Sequence, residues 1–281
     1  MYTILVPHDN SKNADQALLF ALHLSENKPV KVVVFQAGEI LILTSTPHDV
    51  YLELYPKKIQ EKLDDLKEHV KKISHGLNLP NLELAYEWID SSDFQEVLEA
   101  SVIKYNADLI VMGTKGASGI SKVLMGSNTV KTIAKANVPV LAIPENMAIK
   151  DIKSVAYASD LQSIKSEIGK LVKITNHFNW TINIFHTFPN YPQWADPSQE
   201  NIDYLLSELN ELYKEQSFTI ELINTENDNE TIKGIAAYIT RFKPEVLVMF
   251  PSKPTFFDKL MGTSNTDAIA FHSSIPLLVI K

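Results

Sequence analysis

The chain has 281 residues, 45% of them hydrophobic and 21% charged, which is typical of soluble globular proteins and long enough for two domains. Its net charge of −8 argues against a broad nucleic-acid-binding face, and the lack of cysteine excludes disulfides, thiolate metal sites and thiol catalysis. The N-terminus lacks a signal-peptide pattern, and no apolar run approaches the ~20 residues of a membrane helix. We therefore expect a cytoplasmic protein that binds neither nucleic acid nor membranes.

Short apolar runs alternate with amphipathic segments along the first half. Strands that are almost continuously apolar are typical of a parallel sheet covered by helices on both faces. Ligands in such sheets bind beyond the carboxyl ends of the strands, which places Asp9 and Gly113 on one rim. The sequence predicts strands at 2–7, 30–36, 82–88, 107–112 and 138–143, and helices at 14–25, 55–74, 94–105 and 127–136.

The second half of the chain repeats the order of the first. A period this long indicates duplicated domains rather than a solenoid of short repeats. The seam falls near 144–153, so we predict two α/β domains in tandem, 1–146 and 152–281. The segments that align in order are 4–9 with 155–160, 32–36 with 182–186, 107–112 with 244–249, and 137–143 with 274–280.

A glycine-rich segment follows the fourth predicted strand. It contains Gly113, Gly116, Gly126 and Ser127, with nine residues between Gly116 and Gly126, and it precedes a predicted helix. Glycine tolerates positive φ and leaves the backbone open to a ligand, and a helix start presents unpaired N–H groups to a phosphate. The segment therefore predicts a phosphorylated ligand, although each of these residues also suits an ordinary turn or helix start.

These features together resemble the universal stress protein family in its tandem two-domain form. The Gly-x2-Gly-x9-Gly-Ser spacing matches the family's nucleotide signature, and the strand that ends at Pro7-His8-Asp9 matches its usual opening. The resemblance covers the whole chain, but the motif is complete only in the first half. It implies two tandem flavodoxin-like or Rossmann-like domains, each a five-stranded parallel sheet in the order 3-2-1-4-5 with helices on both faces.

The resemblance also implies that the first domain binds ATP. Asp9 would hydrogen-bond the adenosine, and Pro7 and the Ala37 backbone would lie beside the base. Met112 and Gly113 would lie along the ribose. An alternative for Asp9 is a cap on the helix that follows it.

The phosphates would meet the remaining residues of the motif. Gly116 would let the loop close, while the N–H groups of Gly126, Ser127 and Asn128 and the Ser127 hydroxyl would contact the β- and γ-phosphates. Any Mg²⁺ or Mn²⁺ would be held mainly through phosphate oxygens and water, so no side chain is assigned as a metal ligand.

The second half departs from this pattern. The segment after its fourth strand, 249–254, has no counterpart of the first two glycines and contains Pro251 and Pro254, which have no N–H to donate. Phe250 adds bulk where a ribose would approach, although Asp160 and Gly262-Thr263 are retained. We expect that the second domain has lost ATP binding in the family's mode and could hold a smaller anion near Thr263.

The histidines are scattered and show no metal-binding spacing. His186, predicted near Asp160, could serve a metal or acid–base role, but a half-buried, hydrogen-bonded histidine is the simpler interpretation.

Three functions remain open: a nucleotide-dependent stress-response regulator, which we favour, a slow ATPase or phosphotransferase, and a ligand-independent scaffold. No residue is assigned a catalytic role, because the chain has no Gly-x4-Gly-Lys loop and no clear general base. We expect the two halves to pack as a pseudo-dimer, and association of two chains into a homodimer is left open.

Overall fold

The computed structural model describes residues 1–26, 28–115, 125–189, 198–226, 231–251 and 275–281. Gly116 of the predicted phosphate loop and the later pair Gly262-Thr263 lie outside the described residues. The chain divides into two compact units, Met1–Glu145 and Asn146–Lys281, called here the first and second units.

The first unit is a parallel α/β sheet in the order β3-β2-β1-β4-β5, which confirms the predicted fold class. Helix α2 begins at His48 rather than at 55 and runs through Pro56. The strands are β1 (Tyr2–Pro7), β2 (Val30–Gly38), β3 (Leu82–Asp90), β4 (Leu109–Gly113) and β5 (Val140–Ile143), and the helices are α1 (Lys12–Leu24), α2 (His48–Ile73), α3 (Phe94–Tyr105) and α4 (Ser127–Lys135).

The second unit has the same strand order as the first when its strands are numbered from its own first strand, β6. Its described strands are parallel and lie in the order β8-β7-β6-β9-β10. The strands are β6 (Ser154–Ala158), β7 (Thr181–Pro189), β8 (Phe218–Thr225), β9 (Leu247–Met249) and β10 (Leu277–Val279), and the helices are α5 (Ile164–Phe178), α6 (Gln199–Leu212) and α7 (Thr231–Phe242).

The central strands are apolar because helices cover both of their faces. Helix α1 lies against β1, β4 and β5, whereas α3 lies against β1 and β2 and also contacts α4. Right-handed crossovers that run in opposite directions from the centre of the sheet produce this arrangement. Ile4, Leu5 and Val6 of β1 are accordingly all buried. No helix in the described part of the chain is both long and apolar enough to cross a membrane.

Candidate functional site at the sheet rim

A cavity of about 520 Å³ opens at the carboxyl ends of β1, β2 and β4 in the first unit. It brings together nearly all of the residues that the sequence pointed to, and Gly116 is the exception because it lies outside the described residues. His8 and Phe94 also line this cavity, and neither was predicted from the sequence as a site residue. Lys115, which lies between the first two glycines of the predicted loop, lines it as well. The predicted residues on its lining are Pro7, Asp9, Ala37, Met112, Gly113, Gly126, Ser127 and Asn128.

Strand β2 extends beyond β1 at this rim. Pro7, the last residue of β1, pairs with Phe35, whereas β2 and β3 remain paired as far as Gly38. The Phe35 carbonyl accepts the His8 N–H at 2.9 Å, so the backbone of Phe35 faces the β1 side. Because the backbone groups of successive strand residues alternate in direction, the N–H and C=O of Ala37 point to that same side, where β1 has ended. The cavity therefore has one main-chain donor and one acceptor at Ala37.

Helix α4 begins on the lining of the same cavity. Its N-cap residue, Gly126, provides no side-chain hydrogen bond. The Gly126 N–H donates to the Thr114 carbonyl at 2.7 Å, so it is already used and does not add a phosphate donor. The first helical N–H groups, from Ser127 to Thr129, have no acceptor within the helix and carry its positive dipole end.

Gly113 is required by packing rather than by backbone conformation. A Cβ at this position would come within 2.6 Å of the Asn13 Cγ and 2.9 Å of the Asn13 carbonyl oxygen. Positive φ among the described glycines occurs at Gly76, and Gly126 has a φ of −62°. Neither Gly113 nor Gly126 therefore uses the positive φ that glycine tolerates.

Asn13 holds the start of the loop after β4. Its Nδ2 donates to the Ile143 carbonyl at 3.0 Å, and its Oδ1 accepts the Lys115 N–H. The side chain is buried, on the face of α1 that also carries Ala14 and Ala17. Asn13 was not predicted from the sequence, although a polar side chain on an apolar helix face signals that it must find buried partners.

Asp9 and Ser11 divide two roles at the start of α1. The N-cap is Ser11, whose Oγ accepts the Ala14 N–H at 3.1 Å. The Asp9 Oδ1 accepts the Ser11 N–H at 3.1 Å and so closes the turn before the helix. The N-cap of α1 is therefore Ser11 rather than Asp9, and Asp9 is among the residues that line the cavity.

A cluster of His8, Asp15 and His69 lies beside the cavity. The Nε2 atoms of His8 and His69 lie 3.1 and 2.8 Å from the Asp15 Oδ1. The His8 Nδ1 accepts the Asn10 N–H at 3.2 Å, so a neutral His8 carries its proton on Nε2 and donates it to Asp15. Both ring nitrogens of His8 are thus engaged.

These three side chains are of metal-binding types, and their ligand atoms lie within 4.8 Å of one another. The proton on His8 Nε2 occupies the position that a metal would need, so we interpret the cluster as a hydrogen-bonded brace between α1, α2 and the end of β1. Burial lowers the pKa of His8, whereas the Asp15 carboxylate acts in the opposite direction. This cluster was not predicted from the sequence because His8 and His69 lie far apart in the chain.

The second unit has a smaller cavity, of about 280 Å³, at the corresponding rim. Extended in the register of the first and fourth strands, the repeat alignment places the buried Ile164 opposite Asn13 and Phe250 opposite Gly113. The second unit therefore has apolar residues at both of these positions. The ring centroid of Phe250 lies 5.3 Å from that of Tyr157, so the bulk predicted at this position lines the cavity.

The His186 Nδ1 lies 2.8 Å from the Ser159 carbonyl oxygen. A carbonyl only accepts, so Nδ1 carries the proton and donates it. His186 is therefore half-buried and hydrogen-bonded, as the simpler interpretation of the sequence had it.

Each unit is a doubly wound α/β sheet with a cavity at the rim beside its first strand, which is where ligands generally bind in folds of this class. The model of the Universal stress protein family matches residues 1–144, just over half of the chain. The chain therefore belongs to the universal stress protein family.

Individual relatives agree with this assignment. A universal stress protein of Methanocaldococcus jannaschii is 26% identical over 140 residues, which cover 50% of this chain and 80% of that protein. A universal stress protein structure from Archaeoglobus fulgidus matches with a TM-score of 0.63 at 16% identity over 99% of this chain and 96% of that one. A putative universal stress protein from Pseudomonas aeruginosa gives a TM-score of 0.55 at 13% identity, over 100% and 93% of the two chains. At these identities the structural matches show a shared fold.

Proposed function

We propose that the first unit binds ATP and that the protein is a stress-response regulator whose interactions depend on the bound nucleotide. The protein class follows from family membership, and the cavity at the rim of the first sheet supports the proposal of ATP as the ligand. Its size, about 520 Å³, lies within the ordinary range for small-molecule sites.

One set of groups on the lining suits an adenosine. The N–H and C=O of Ala37 match the acceptor and donor on the edge of an adenine ring. Pro7 and Met112 provide apolar contacts for the base and ribose, and the Asp9 carboxylate can accept hydrogen bonds from ribose hydroxyls.

The start of α4 suits the phosphates, and it is the observation that carries the proposal. Ser127 and Asn128 line the cavity at a helix N-terminus whose cap residue supplies no side-chain acceptor. Backbone N–H groups in that position, with the helix dipole, favour an anion. Lys115 on the same lining adds a positive charge. A divalent cation accompanying the nucleotide would be held by phosphate oxygens and water.

We assign binding rather than catalysis to this cavity. His8 is the one histidine among the described lining residues, and both of its nitrogens are hydrogen-bonded to protein groups. It is therefore not placed to take a proton from water. Turnover measured by phosphate release should be slow or absent, and rapid steady-state turnover would favour the ATPase alternative instead.

The sharpest test places a carboxylate at the start of α4. Gly126 has φ −62° and ψ 149°, which suit an aspartate N-cap, so Gly126→Asp should fold normally or gain stability. We expect ATP affinity to fall by at least about tenfold because the new charge repels the phosphates. Adenosine, titrated in the same calorimeter, should bind Gly126→Asp as it binds the wild type.

A matched control adds the same charge elsewhere. Ser198 caps α6 with a similar backbone, φ −63° and ψ 142°, and Ser198→Asp should leave ATP affinity unchanged. Equal ATP affinity in Gly126→Asp and the wild type would remove the helix start from the proposed site.

The identity of the nucleotide is tested by releasing ligand from purified protein with heat and analysing it by mass spectrometry. Added ATP at 100 times its Kd should also stabilise the fold by about 2.7 kcal/mol. Recovery of no adenine nucleotide together with an unchanged Tm would contradict ATP binding and favour a ligand-independent scaffold.

We further propose that the second unit is a second universal stress protein domain that does not bind ATP in this mode. Calorimetry should then give one nucleotide per chain. A stoichiometry of two would contradict this. The regulatory role requires that ATP change either the assembly of the protein or its binding to a partner. Light scattering with and without ATP would show whether ATP changes the assembly.

A further inference from the structure

We propose that the rim cavity of the second unit binds a small organic amine in its ammonium form, with an apolar or aromatic body. This ligand differs from a nucleotide in both charge and size. The proposal does not depend on ATP binding in the first unit.

His186 lines this cavity. Its Nδ1 donates to the Ser159 carbonyl at 2.8 Å, so its tautomer is set by the backbone. In the neutral ring the remaining nitrogen, Nε2, carries a lone pair and can only accept a hydrogen bond. The neutral His186 ring therefore favours a ligand that donates a hydrogen bond to Nε2.

Two carboxyl groups on the lining have the same preference. Asp160 accepts hydrogen bonds from the N–H groups of Gln162 and Ser163 through Oδ1, and from the Ser163 hydroxyl through Oδ2. Glu167 accepts the hydroxyl of Tyr157 through Oε2. A carboxylate offers about four lone-pair sites, so each group can accept a further donor.

The charge of the lining favours a cation. Asp160 and Glu167 are acidic, and the described residues that line this cavity include neither lysine nor arginine. The nucleotide cavity of the first unit differs, because Lys115 and the start of α4 line it. Lys170 acts on the Glu167 carboxyl from outside the lining and offsets part of its charge. The described lining itself carries acidic groups, so it repels an anion and attracts an ammonium group.

Apolar side chains complete the site. Ile235, Met249 and Phe250 line the cavity, and Phe250 is half-buried beside Tyr157. An aromatic ring next to carboxylates favours an ammonium group both through its π face and through contact with the ligand's apolar body. A volume of about 280 Å³ lies near the lower limit for ligand pockets and suits a single ring or a short chain.

Main-chain geometry adds two further groups. Strand β7 extends beyond β6, since Ala158 pairs with Phe185 and the Ser159 N–H donates to the Phe185 carbonyl at 3.0 Å. By the alternation that applies at Ala37, the N–H and C=O of Thr187 point to the side where β6 has ended. The Thr187 carbonyl is thus one more acceptor for an ammonium group.

The test uses three probes of similar shape but different charge: 2-phenylethylamine, 2-phenylethanol and 3-phenylpropanoate. Each is titrated into the full chain by ligand-observed NMR and calorimetry, with saturating ATP present. We expect the amine to bind at least about tenfold more tightly than the alcohol, and the carboxylate to bind most weakly. Binding of the amine that ATP abolishes would place it in the first cavity and overturn the proposal.

Variants locate the binding. Glu167→Gln keeps an acceptor for Tyr157 and Asp160→Asn keeps an acceptor for the helix start, and each should weaken amine binding by about tenfold. Glu211→Gln removes the same charge from an exposed position on α6 and should change nothing. Thermal denaturation verifies that each variant is folded.

Several outcomes would overturn the inference. These are equal affinities for the three probes, tighter binding of 3-phenylpropanoate, no amine binding at millimolar concentration, or amine affinity that neither Asp160→Asn nor Glu167→Gln reduces in folded protein. Loss of ATP binding in Gly126→Asp, or its persistence, has no bearing on these outcomes, so the two proposals fail independently.

Discussion

The two sheet rims share a backbone plan but differ in side chains. In each unit the second strand overhangs the first, and a main-chain N–H and C=O at Ala37 or Thr187 point past the end of the shorter strand. At the fourth strand they diverge, because Gly113 lies against Asn13 in the first unit whereas the second has Phe250 and Ile164. Strand length thus leaves a cleft at the rim of both units, and the side chains that line the two clefts differ.

Among the differences between the two rims, we expect the polar contact of Asn13 to have the largest effect on the free energy of unfolding. Asn13→Ile installs the residue found at the matching position of the second unit, and it leaves the Ile143 carbonyl and the Lys115 N–H without their partner. We expect a loss of roughly 2–4 kcal/mol in the free energy of unfolding, measured by urea denaturation, because buried polar groups lose their hydrogen bonds.

The conservative change Ile164→Val is the control in the second unit. It should cost only about 0.5–1.5 kcal/mol, since it removes one buried methyl group. A loss below about 1 kcal/mol in Asn13→Ile would mean that water replaces the side chain and that the contact does not distinguish the two rims.

Gly113→Ala tests the close approach of β4 to α1. The added methyl would overlap the Asn13 side chain and its carbonyl oxygen, so we expect a loss of roughly 1–3 kcal/mol in stability and weaker ATP binding. In an Asn13→Ala background the cost should shrink, because the contact with the side chain is gone. Equal costs in both backgrounds, in a double-mutant cycle, would show that the backbone oxygen alone sets the requirement for glycine.

Acid should affect the first unit through His8. Burial lowers the pKa of its ring from the ordinary value of 6.5, with the neighbouring His69 acting in the same direction and Asp15 and Asp9 against it. The unfolded chain therefore binds the proton more readily, and stability is lost as pH falls through about 6.5 towards the folded pKa. His8→Gln should flatten the pH dependence of Tm in this range, whereas His75→Gln, at an exposed histidine, should not. Parallel profiles for the wild type and His8→Gln would contradict the assignment.

The second unit should show a smaller and opposite response through Glu167. Burial raises the pKa of its carboxyl and the Asp160 carboxylate adds to the rise, whereas the Tyr157 hydroxyl and the charge of Lys170 oppose it. The ionised form therefore costs stability near neutral pH, and this cost disappears as pH falls from the folded pKa through the ordinary value of 4.5. Glu167→Gln should raise Tm near neutral pH. At about pH 4, where a glutamate is largely protonated, the Tm of the variant should match that of the wild type. A lower Tm at neutral pH would show that the hydrogen bond from Tyr157 outweighs burial.

The site residues that the sequence predicts at or near strand ends lie together, and their role in binding stays a prediction. Pro7, Asp9, Ala37 and Met112 all lie on one cavity because the carboxyl ends of parallel strands meet at one rim. The physical roles predicted for the glycines were less accurate than the predicted positions of the residues on the cavity. Gly113 is glycine because of Asn13, and the N–H of Gly126 bonds Thr114 instead of remaining open. Gly116 lies outside the described residues, and its role stays a prediction.

The amino-acid sequence by itself determined the alternation of strands and helices, the duplication, the strand order through its family resemblance, and the strand ends that line the first cavity. These follow from local apolar patterning and from the constraints on parallel sheets. The tertiary structure decided what those residues contact. Asn13 meets Gly113 and Lys115, and His69 meets Asp15, across many intervening residues because helices on the sheet faces bring distant positions together. Side-chain partners at such distances depend on packing, which no local pattern encodes.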